Sequence, residues 1–370
     1  MLYLDNSATS IRKPLRVYKS FFYNTLFNSA NAGRGSHKPS IRALEGMLNA
    51  QESAARLFNA DNPMNIAFTY NATYALNMAI LGAAGEGHVV ATQMDHNSVL
   101  RPIFRRGNYT IVNADECGYV SPCDVELAMR PDTSLVICTH ASNVCGAIQP
   151  VKEIAEIAHR HGALFLLDAA QTAGCVPIDA KNIGADFIAF SGHKGLMGPL
   201  GTGGLYVRDP KKLEPVITGG TGSQSESMSH PTVMPDMLHA GTVNAPGIAA
   251  LGTAIDFILD YGVEEIGARE REMANSLHDN LMNMDNVLVY GGYERTGAVA
   301  FNIKGLGSEE TDERIGTRAV VRAGYHCAPL AHRALGTHNT GAVRASFGFY
   351  NTMSDVRKFT DIVYKASRGI

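Results

Sequence analysis

From about residue 65 to residue 207 the sequence alternates short apolar runs with segments of helical periodicity, and this alternation restricts the fold more than any other feature. The apolar runs are continuous, as expected for strands that are buried on both faces. Strands are predicted at 65–70, 88–93, 109–114, 134–140, 163–168 and 186–191, and helices at 72–82 and 151–161. This order of elements predicts an α/β fold whose large domain has a mostly parallel sheet flanked by helices.

The pattern of elements changes near residue 250. Two helices, predicted at 248–260 and 264–283, are followed by the apolar runs VLVYGG, AVAFNIKG and RAVVRAG, which predict a smaller α+β domain. We therefore expect a large domain over 13–246 and a small domain built from 1–12 together with 247–370.

Composition narrows the classes of protein that fit. A chain of 370 residues is too long for one small core, and its net charge of −3 does not favour nucleic acid or anionic membranes as partners. No apolar run reaches the length of a membrane span, and the N-terminus MLYLDNSATS lacks the pattern of a signal peptide. Six scattered cysteines predict reduced thiols and a cytoplasmic location; they are residues 117, 123, 138, 145, 175 and 327.

Candidate site residues follow the predicted strands at the edge where ligands bind in open α/β sheets. They are Ala72 and Thr73 at a helix start after the first strand, then the polar residues His96, Asn143, Asp168, Gln171, Ser191, His193 and Lys194 after later ones. Each has an ordinary structural explanation, such as a helix cap, a turn or a solvated lysine. Their combination instead predicts pyridoxal phosphate (PLP) chemistry. Lys194 would form a Schiff base with the aldehyde, Asp168 would pair with the pyridine nitrogen, and His96 would stack on the ring. A helix start suits the phosphate.

Several motifs together carry a family resemblance. The segment SGHKGLMGPLGTGGLYV at 191–207 resembles the lysine segment of class V aminotransferase-fold enzymes, in the branch of cysteine desulfurases and selenocysteine lyases. Further matching motifs run nearly from end to end of the chain: YLDNSATSIRKP, AGRGSH at 32–37, MDHNSVLRP, HASNVCG, LLDAAQTAG, HAGTVNAPGIAAL, RAGYHCAPLAH and VRASFGFYNT.

The resemblance implies PLP-dependent fold type I and a role for each matching residue. Lys194 is similar to the lysine that binds PLP, and Asp168 and Gln171 to the residues at the pyridine nitrogen and phenolic oxygen. Thr73, Ser191 and His193 resemble phosphate ligands, and Thr242 resembles a threonine supplied by the other subunit of a homodimer. Asn143 and Arg344 resemble residues at the substrate carboxylate, where a guanidinium fork fits. His96 resembles a stacking histidine that also moves protons, and Cys327 resembles the nucleophilic cysteine.

The activity implied is desulfuration of L-cysteine to L-alanine, with the sulfur passing to Cys327 as a persulfide. The RAGYHCAP segment is similar to group II enzymes, and a protein that accepts sulfur or selenium is a further implied partner. Lysis of L-selenocysteine, another C–S lysis and transamination remain alternatives. Three residues depart from the family pattern, namely Tyr74, Cys145 and His239.

Three other interpretations of the sequence compete with this one. His326, Cys327, His332 and His338 lie close enough in sequence for a zinc site, although their spacing fits no standard set of ligands. The glycine-rich segment 198–204 suggests a nucleotide loop but lacks the residues of a P-loop. A non-catalytic sulfur carrier would need Cys327 but not Lys194. The remaining five cysteines are expected to be small buried apolar residues.

Overall fold

The computed structural model describes residues 2–32 and 35–370, which form two principal sheets and a short pair of strands. The strands are β1 (Leu2–Tyr3), β2 (Ile66–Thr69), β3 (His88–Thr92), β4 (Tyr109–Val112), β5 (Thr133–Thr139), β6 (Leu164–Asp168), β7 (Phe187–Ser191), β8 (Gly203–Val207), β9 (Val287–Tyr290), β10 (Ala298–Ile303), β11 (Ala319–Val320), β12 (Arg322–Gly324) and β13 (Ala342–Ser346). The helices are α1 (Leu15–Phe27), α2 (Lys38–Phe58), α3 (Ala72–Ala83), α4 (Asn97–Arg106), α5 (Pro122–Ala128), α6 (Val151–Arg160), α7 (Ala180–Ile183), α8 (Ala245–Tyr261), α9 (Val263–Met282), α10 (Ser308–Ile315), α11 (Pro329–Ala334) and α12 (Met353–Arg368).

The larger sheet has the strand order β2-β8-β7-β6-β5-β3-β4. Strand β8 is antiparallel to both of its neighbours, and the pairs among β3, β4, β5, β6 and β7 are parallel. Because β2 and β7 both oppose β8, β2 runs in the same direction as the parallel strands. The predicted mostly parallel sheet is confirmed, and the carboxyl ends of six of its strands meet at one edge.

Helices cover both faces of this sheet. Alternate residues of its central strands enter two apolar cores; Phe165 and Leu167 of β6 enter one and Leu166 enters the other. Every residue of β3 and β7 is buried, which explains why these strands read as continuous apolar runs. The two cores hold the sheet edge, and the side chains at it, in a fixed arrangement.

The smaller sheet has the order β12-β13-β10-β9 and is antiparallel throughout. The apolar run RAVVRAG forms two strands: β11 pairs with β1 in a separate two-stranded sheet, whereas β12 pairs with β13. The N-terminal segment is tied to the smaller sheet by an isolated bridge between Asp5 and Ser346 of β13. The predicted domain boundary at 246/247 stays a prediction; apolar residues of α8 belong to a core of the larger sheet, and those of α9 from Met273 onward to the core of the smaller one.

Side-chain caps fix where two helices begin at the carboxyl-end edge of the larger sheet. The Asn71 side chain caps α3 by accepting the Tyr74 N–H, and the His96 ring caps α4 by accepting the Ser98 N–H. Within the described ranges no single helix is long and apolar enough to span a membrane. Taken together, α8 and α9 reach that length and apolar character, but the two helices are bent by 80° relative to each other.

Candidate active site

Side chains at the carboxyl ends of the parallel strands line one cavity. The cavity is lined by Ala72, Thr73, His96, Asn143, Asp168, Gln171, Ser191, His193 and Lys194, all of them predicted cofactor residues, together with Asn71, Leu76, Ser98, Thr139 and Ala170. Thr242 is exposed and is not among the described residues that line it. The sheet therefore gathers residues separated by more than one hundred positions in the sequence.

Lys194 follows β7 at the centre of this edge. Burial lowers the pKa of its amine from 10.5 to about 8, and the negative charge of Asp168 partly opposes that shift. With such a pKa about a tenth of the amines are neutral at pH 7, far more than for an unperturbed lysine, and a nucleophilic amine must be neutral.

Asp168 ends β6 and is buried. Its Oδ1 accepts the Ala170 N–H at 2.9 Å, and burial raises the pKa of the carboxyl while Lys194 lowers it. A second carboxyl, that of Asp95, was not singled out from the sequence as a site residue. Asp95 accepts the backbone N–H groups of Thr92 and Thr139 at 2.7 Å each, so it clamps the ends of β3 and β5 beside the cavity.

His96 has a defined tautomer. Its Nδ1 accepts the Ser98 N–H at 3.0 Å, so in the neutral ring the proton lies on Nε2. Burial is the main reason that its pKa falls to about 4, and the positive charge of Lys194 contributes. The ring is therefore neutral at physiological pH and offers an N–H donor. The Ser98 hydroxyl, 2.7 Å from Thr73 Oγ1, links this ring to the start of α3.

Arg344 lies on β13 and is almost wholly buried. Its Nη1 donates to the Asn143 carbonyl at 2.6 Å and its Nη2 to Asp5 Oδ1 at 2.8 Å. The remaining Nε–H is buried without a hydrogen-bond partner among the described residues. A buried guanidinium with an unused donor is suited to a carboxylate ligand. Asp5, which holds the group in place, lies in a quoted motif but carried no distinguishing signal of its own in the sequence.

Cys327 lies on a turn that is bonded to the cavity wall. The Cys327 carbonyl accepts the Asn97 N–H at 2.7 Å, and the neighbouring His326 carbonyl accepts Asn143 Nδ2–H at 2.6 Å. Cys327 is exposed and carries a free thiol. These two bonds hold the turn with the accessible thiol against Asn97, at the start of α4, and against Asn143 in the cavity wall.

Comparison with known proteins decides the family. The model of the aminotransferase class-V family matches residues 2–359. The chain belongs to the class V aminotransferase family. It is 38% identical to a probable cysteine desulfurase of Halalkalibacterium halodurans, over 96% of this chain and 90% of that protein. It is 37% identical to a probable cysteine desulfurase of Methanothermobacter thermautotrophicus, over 96% of this chain and 92% of that protein. The apo structure of a cysteine desulfurase from Thermococcus onnurineus superposes with a TM-score of 0.92, at 32% identity, covering 100% of this chain and 95% of that one.

Class V aminotransferases use PLP, and the residues of this cavity fit that cofactor. Lys194 supplies the amine and Asp168 the carboxylate for the pyridine nitrogen. The first N–H groups of α3 have no acceptor within the helix, and His193 Nδ1 is buried without a hydrogen-bond partner in the part of the chain that the structure describes, so donors for a phosphate are present. The predicted role of each class V residue stays a prediction, but the cavity contains the set of donors that PLP needs.

The three departures from the family pattern have separate structural roles. Tyr74 is partly exposed on the first turn of α3, with its ring against the edge of Tyr70. His239 is buried, and its Nε2 accepts the Phe68 N–H of β2 at 2.8 Å. Cys145 is buried and packs against Gly118 and Gly291. None of the three lines the cavity in the described structure.

Other expectations are corrected. Cys117 and Cys123 are exposed, so the prediction that the remaining cysteines are all buried is wrong for these two. No cluster of potential metal ligands occurs among the described residues; His326 and His332 are instead bonded to each other. The glycine-rich segment packs closely against backbone, with Gly203 next to Asn71 and Phe190. In the AGRGSH motif, Gly33 and Arg34 lie outside the described residues.

Proposed function

We propose that this protein is a PLP-dependent cysteine desulfurase that converts L-cysteine to L-alanine and takes up the sulfur on Cys327. One observation carries the proposal: a PLP-type cavity, a buried arginine with a free donor and an exposed thiol are joined by Asn143. The Asn143 carbonyl accepts from Arg344, and its amide donates to the carbonyl before Cys327. A transaminase would not need the thiol, and a sulfur carrier would not need the cavity or the arginine.

Binding of the substrate is assigned to Arg344. The free Nε–H and the remaining Nη protons would hold the carboxylate of an amino acid, while Asp5 keeps the fork oriented. PLP, when bound, supplies an electron sink for the pair left at the substrate Cα. Lys194 is the base for the Cα proton, because its lowered pKa leaves it partly neutral.

Transfer of sulfur is assigned to Cys327. As the Cβ–S bond of cysteine breaks, the thiolate of Cys327 forms an S–S bond with the substrate sulfur, and protons complete the methyl group of alanine. The electron pair of the broken Cβ–S bond stays on Cβ, which takes up a proton, so carbon is reduced as the two sulfurs are oxidised to a persulfide and no external oxidant is needed. His326 is not available as the base for this thiol, because both of its ring nitrogens are hydrogen-bonded. We assign delivery of a proton to the Nε2–H of His96, because His96 lines the cavity and its Nδ1 is occupied as an acceptor.

The proposal includes a homodimer with shared sites. Helix α1 exposes a row of large apolar side chains, each more than half accessible: Leu15, Phe22, Leu26 and Phe27. Exposed apolar surface of this extent on a soluble fold is typical of an interface. Thr242 lies outside the cavity and shortly before α8, which packs against α1. A second copy covering α1 would bring its own Thr242 toward the phosphate end of the cavity.

The test measures both products with both substrates. The purified protein is incubated with L-cysteine or L-selenocysteine, with and without a thiol reductant, and alanine and sulfide or selenide are quantified. We expect alanine from L-cysteine and a persulfide on Cys327 by mass spectrometry. Cys327→Ala should lose most of the alanine formed from cysteine while retaining bound PLP, and Cys123→Ala, an exposed thiol elsewhere, serves as the matched control. Wild-type desulfuration by Cys327→Ala would refute the sulfur-transfer role.

The same assay addresses the second candidate substrate. A C–Se bond is weaker than a C–S bond, so selenocysteine lysis is expected to depend less on Cys327. An acceptor protein for the persulfide and a cytoplasmic location remain parts of the proposal, supported by the exposure of Cys327 and by its free thiol.

A further inference from the structure

The turn that carries Cys327 has an unusual backbone. His326 and Cys327 have φ angles of 50° and 56°, and the Ala328 N–H donates to the Tyr325 carbonyl at 2.9 Å across them. Two successive positive φ angles inside such a bond are the sign pattern of a type I′ turn, which normally holds Asn and Gly. Histidine and cysteine adopt this region rarely, so contacts outside the turn must hold it.

Besides the bonds from Asn97 and Asn143 to its carbonyls, the turn is held by a buried chain of hydrogen bonds that starts at the His326 ring. His326 Nε2 lies 3.1 Å from the Arg322 carbonyl, His326 Nδ1 lies 3.2 Å from His332 Nε2, and His332 Nδ1 lies 2.7 Å from Thr337 Oγ1. The two imidazole rings are stacked at 12° with centroids 5.4 Å apart. His326, His332 and Thr337 are all buried, whereas Cys327 is exposed.

When both rings are neutral, this geometry allows one arrangement of protons. A carbonyl accepts, so His326 Nε2 carries a proton and its Nδ1 must accept from His332 Nε2–H. His332 Nδ1 is then the acceptor for the Thr337 hydroxyl. Both rings are neutral in this scheme, and burial accordingly lowers the pKa of His326 to about 3 and that of His332 to about 4.

We propose that His332 and Thr337 are positioning residues for Cys327: they fix the His326 ring, and that ring holds the left-handed turn that presents the thiol. The inference rests on the proposed function of Cys327 as the sulfur acceptor. It also gives a structural role to His326 and His332, two of the three histidines that suggested a zinc site in the sequence. The His332 ring contacts the turn at His326 and Tyr325, and the His332 backbone N–H donates to the Ala328 carbonyl at 3.3 Å, a bond that replacement of the side chain leaves in place.

The test compares His332→Leu and Thr337→Val with the wild-type holoenzyme. We expect kcat for L-cysteine to fall at least tenfold in His332→Leu and less in Thr337→Val, with KM and the PLP absorbance little changed. His332→Gln keeps an N–H donor near the Nε2 position and should restore part of the loss. His338→Leu, an exposed histidine one residue after Thr337, should behave as wild type.

Two further measurements do not depend on turnover. Hydrogen exchange of the peptide that contains Ala328 should speed up in His332→Leu and not in His338→Leu. Nitrogen NMR should find Nδ1 unprotonated and Nε2 protonated in both buried rings. If exchange accelerates as expected but Cys327→Ala desulfurates cysteine normally, the turn is held as inferred and only the proposed function fails.

A double-mutant cycle separates positioning from general destabilisation. His326→Gly tolerates a positive φ but removes the ring, so adding His332→Leu to it should lower kcat by less than a further twofold. Additive losses, unchanged exchange in His332→Leu, or the opposite tautomers would each overturn the inference.

Discussion

At the scale of single residues, the reactivity of Lys194 depends on burial. Its pKa is lowered to about 8, so the neutral amine becomes more abundant as pH rises and reaches its maximum above that value. We therefore expect the rate of PLP uptake by the apo protein to rise from pH 6.5 to about pH 8.5 and then to level off. Stopped-flow absorbance measures this, with Lys194→Ala as the control that forms no borohydride-stable adduct. A rate that keeps rising through pH 10 would mean that the amine is not perturbed.

Arg344 gives a second prediction at this scale. Arg344→Lys keeps a positive charge but loses the fork that Asp5 and the Asn143 carbonyl orient. We expect the KM for L-cysteine to rise at least tenfold with a smaller change in kcat, because an ammonium cannot make the paired hydrogen bonds. Arg322→Lys is the matched control, since that arginine also contacts Asp5 but is half-exposed. A larger loss in kcat than in KM would place Arg344 in the chemistry rather than in binding.

At the scale of elements, the glycine-rich segment after Lys194 serves close packing. A Cβ at Gly203 would lie 2.7 Å from the Phe190 carbonyl oxygen and 2.9 Å from the Asn71 Cα, whereas one at Gly201 would meet nothing within 4 Å. Gly203→Ala should lower the free energy of unfolding by about 1–3 kcal/mol and weaken PLP binding, because Asn71 caps α3. Gly201→Ala should lower the free energy of unfolding by a smaller amount, because the only penalty there is the positive φ angle of residue 201. Equal effects in chemical denaturation would contradict this account.

The elements also explain what the sequence could and could not predict. Strands β3 and β7 are buried along their whole length, so their continuous apolar runs were recognisable, and with them the sheet edge that carries Asp168 and Lys194. Helix α1 was not predicted, because large apolar side chains lie on its exposed side as well as toward the core. Contacts such as the one between Arg344 and Asp5 join residues 339 positions apart, and local patterns carry no information about them.

At the scale of the whole molecule, the exposed row on α1 and the position of Thr242 are the two observations that support the proposed homodimer. The nine cofactor residues that line the cavity come from one chain, and the tenth, Thr242, lies outside it. If the partner supplies that hydroxyl to the phosphate, disrupting the dimer must weaken PLP binding. Phe22→Asp combined with Leu26→Asp should therefore yield monomers with reduced affinity for PLP in sedimentation and absorbance measurements. Phe104→Asp, at a side chain that is 74% exposed elsewhere, should remain dimeric.

Mixing two defective subunits tests whether Thr242 acts across the dimer. Lys194→Ala cannot bind PLP covalently, and Thr242→Ala should bind it at least tenfold more weakly, with Thr317→Ala, another exposed threonine, unaffected. In a mixed dimer with Thr242 acting across subunits, one site carries both defects and the other carries neither, since it combines an intact Lys194 with the partner's intact hydroxyl. Differently tagged subunits should then give heterodimers that bind one PLP per dimer with wild-type affinity, measured by borohydride trapping. If Thr242 instead acted within its own chain, the single intact Lys194 of the heterodimer would lie in the subunit that lacks the Thr242 hydroxyl. The affinity for PLP would then equal that of the Thr242→Ala variant.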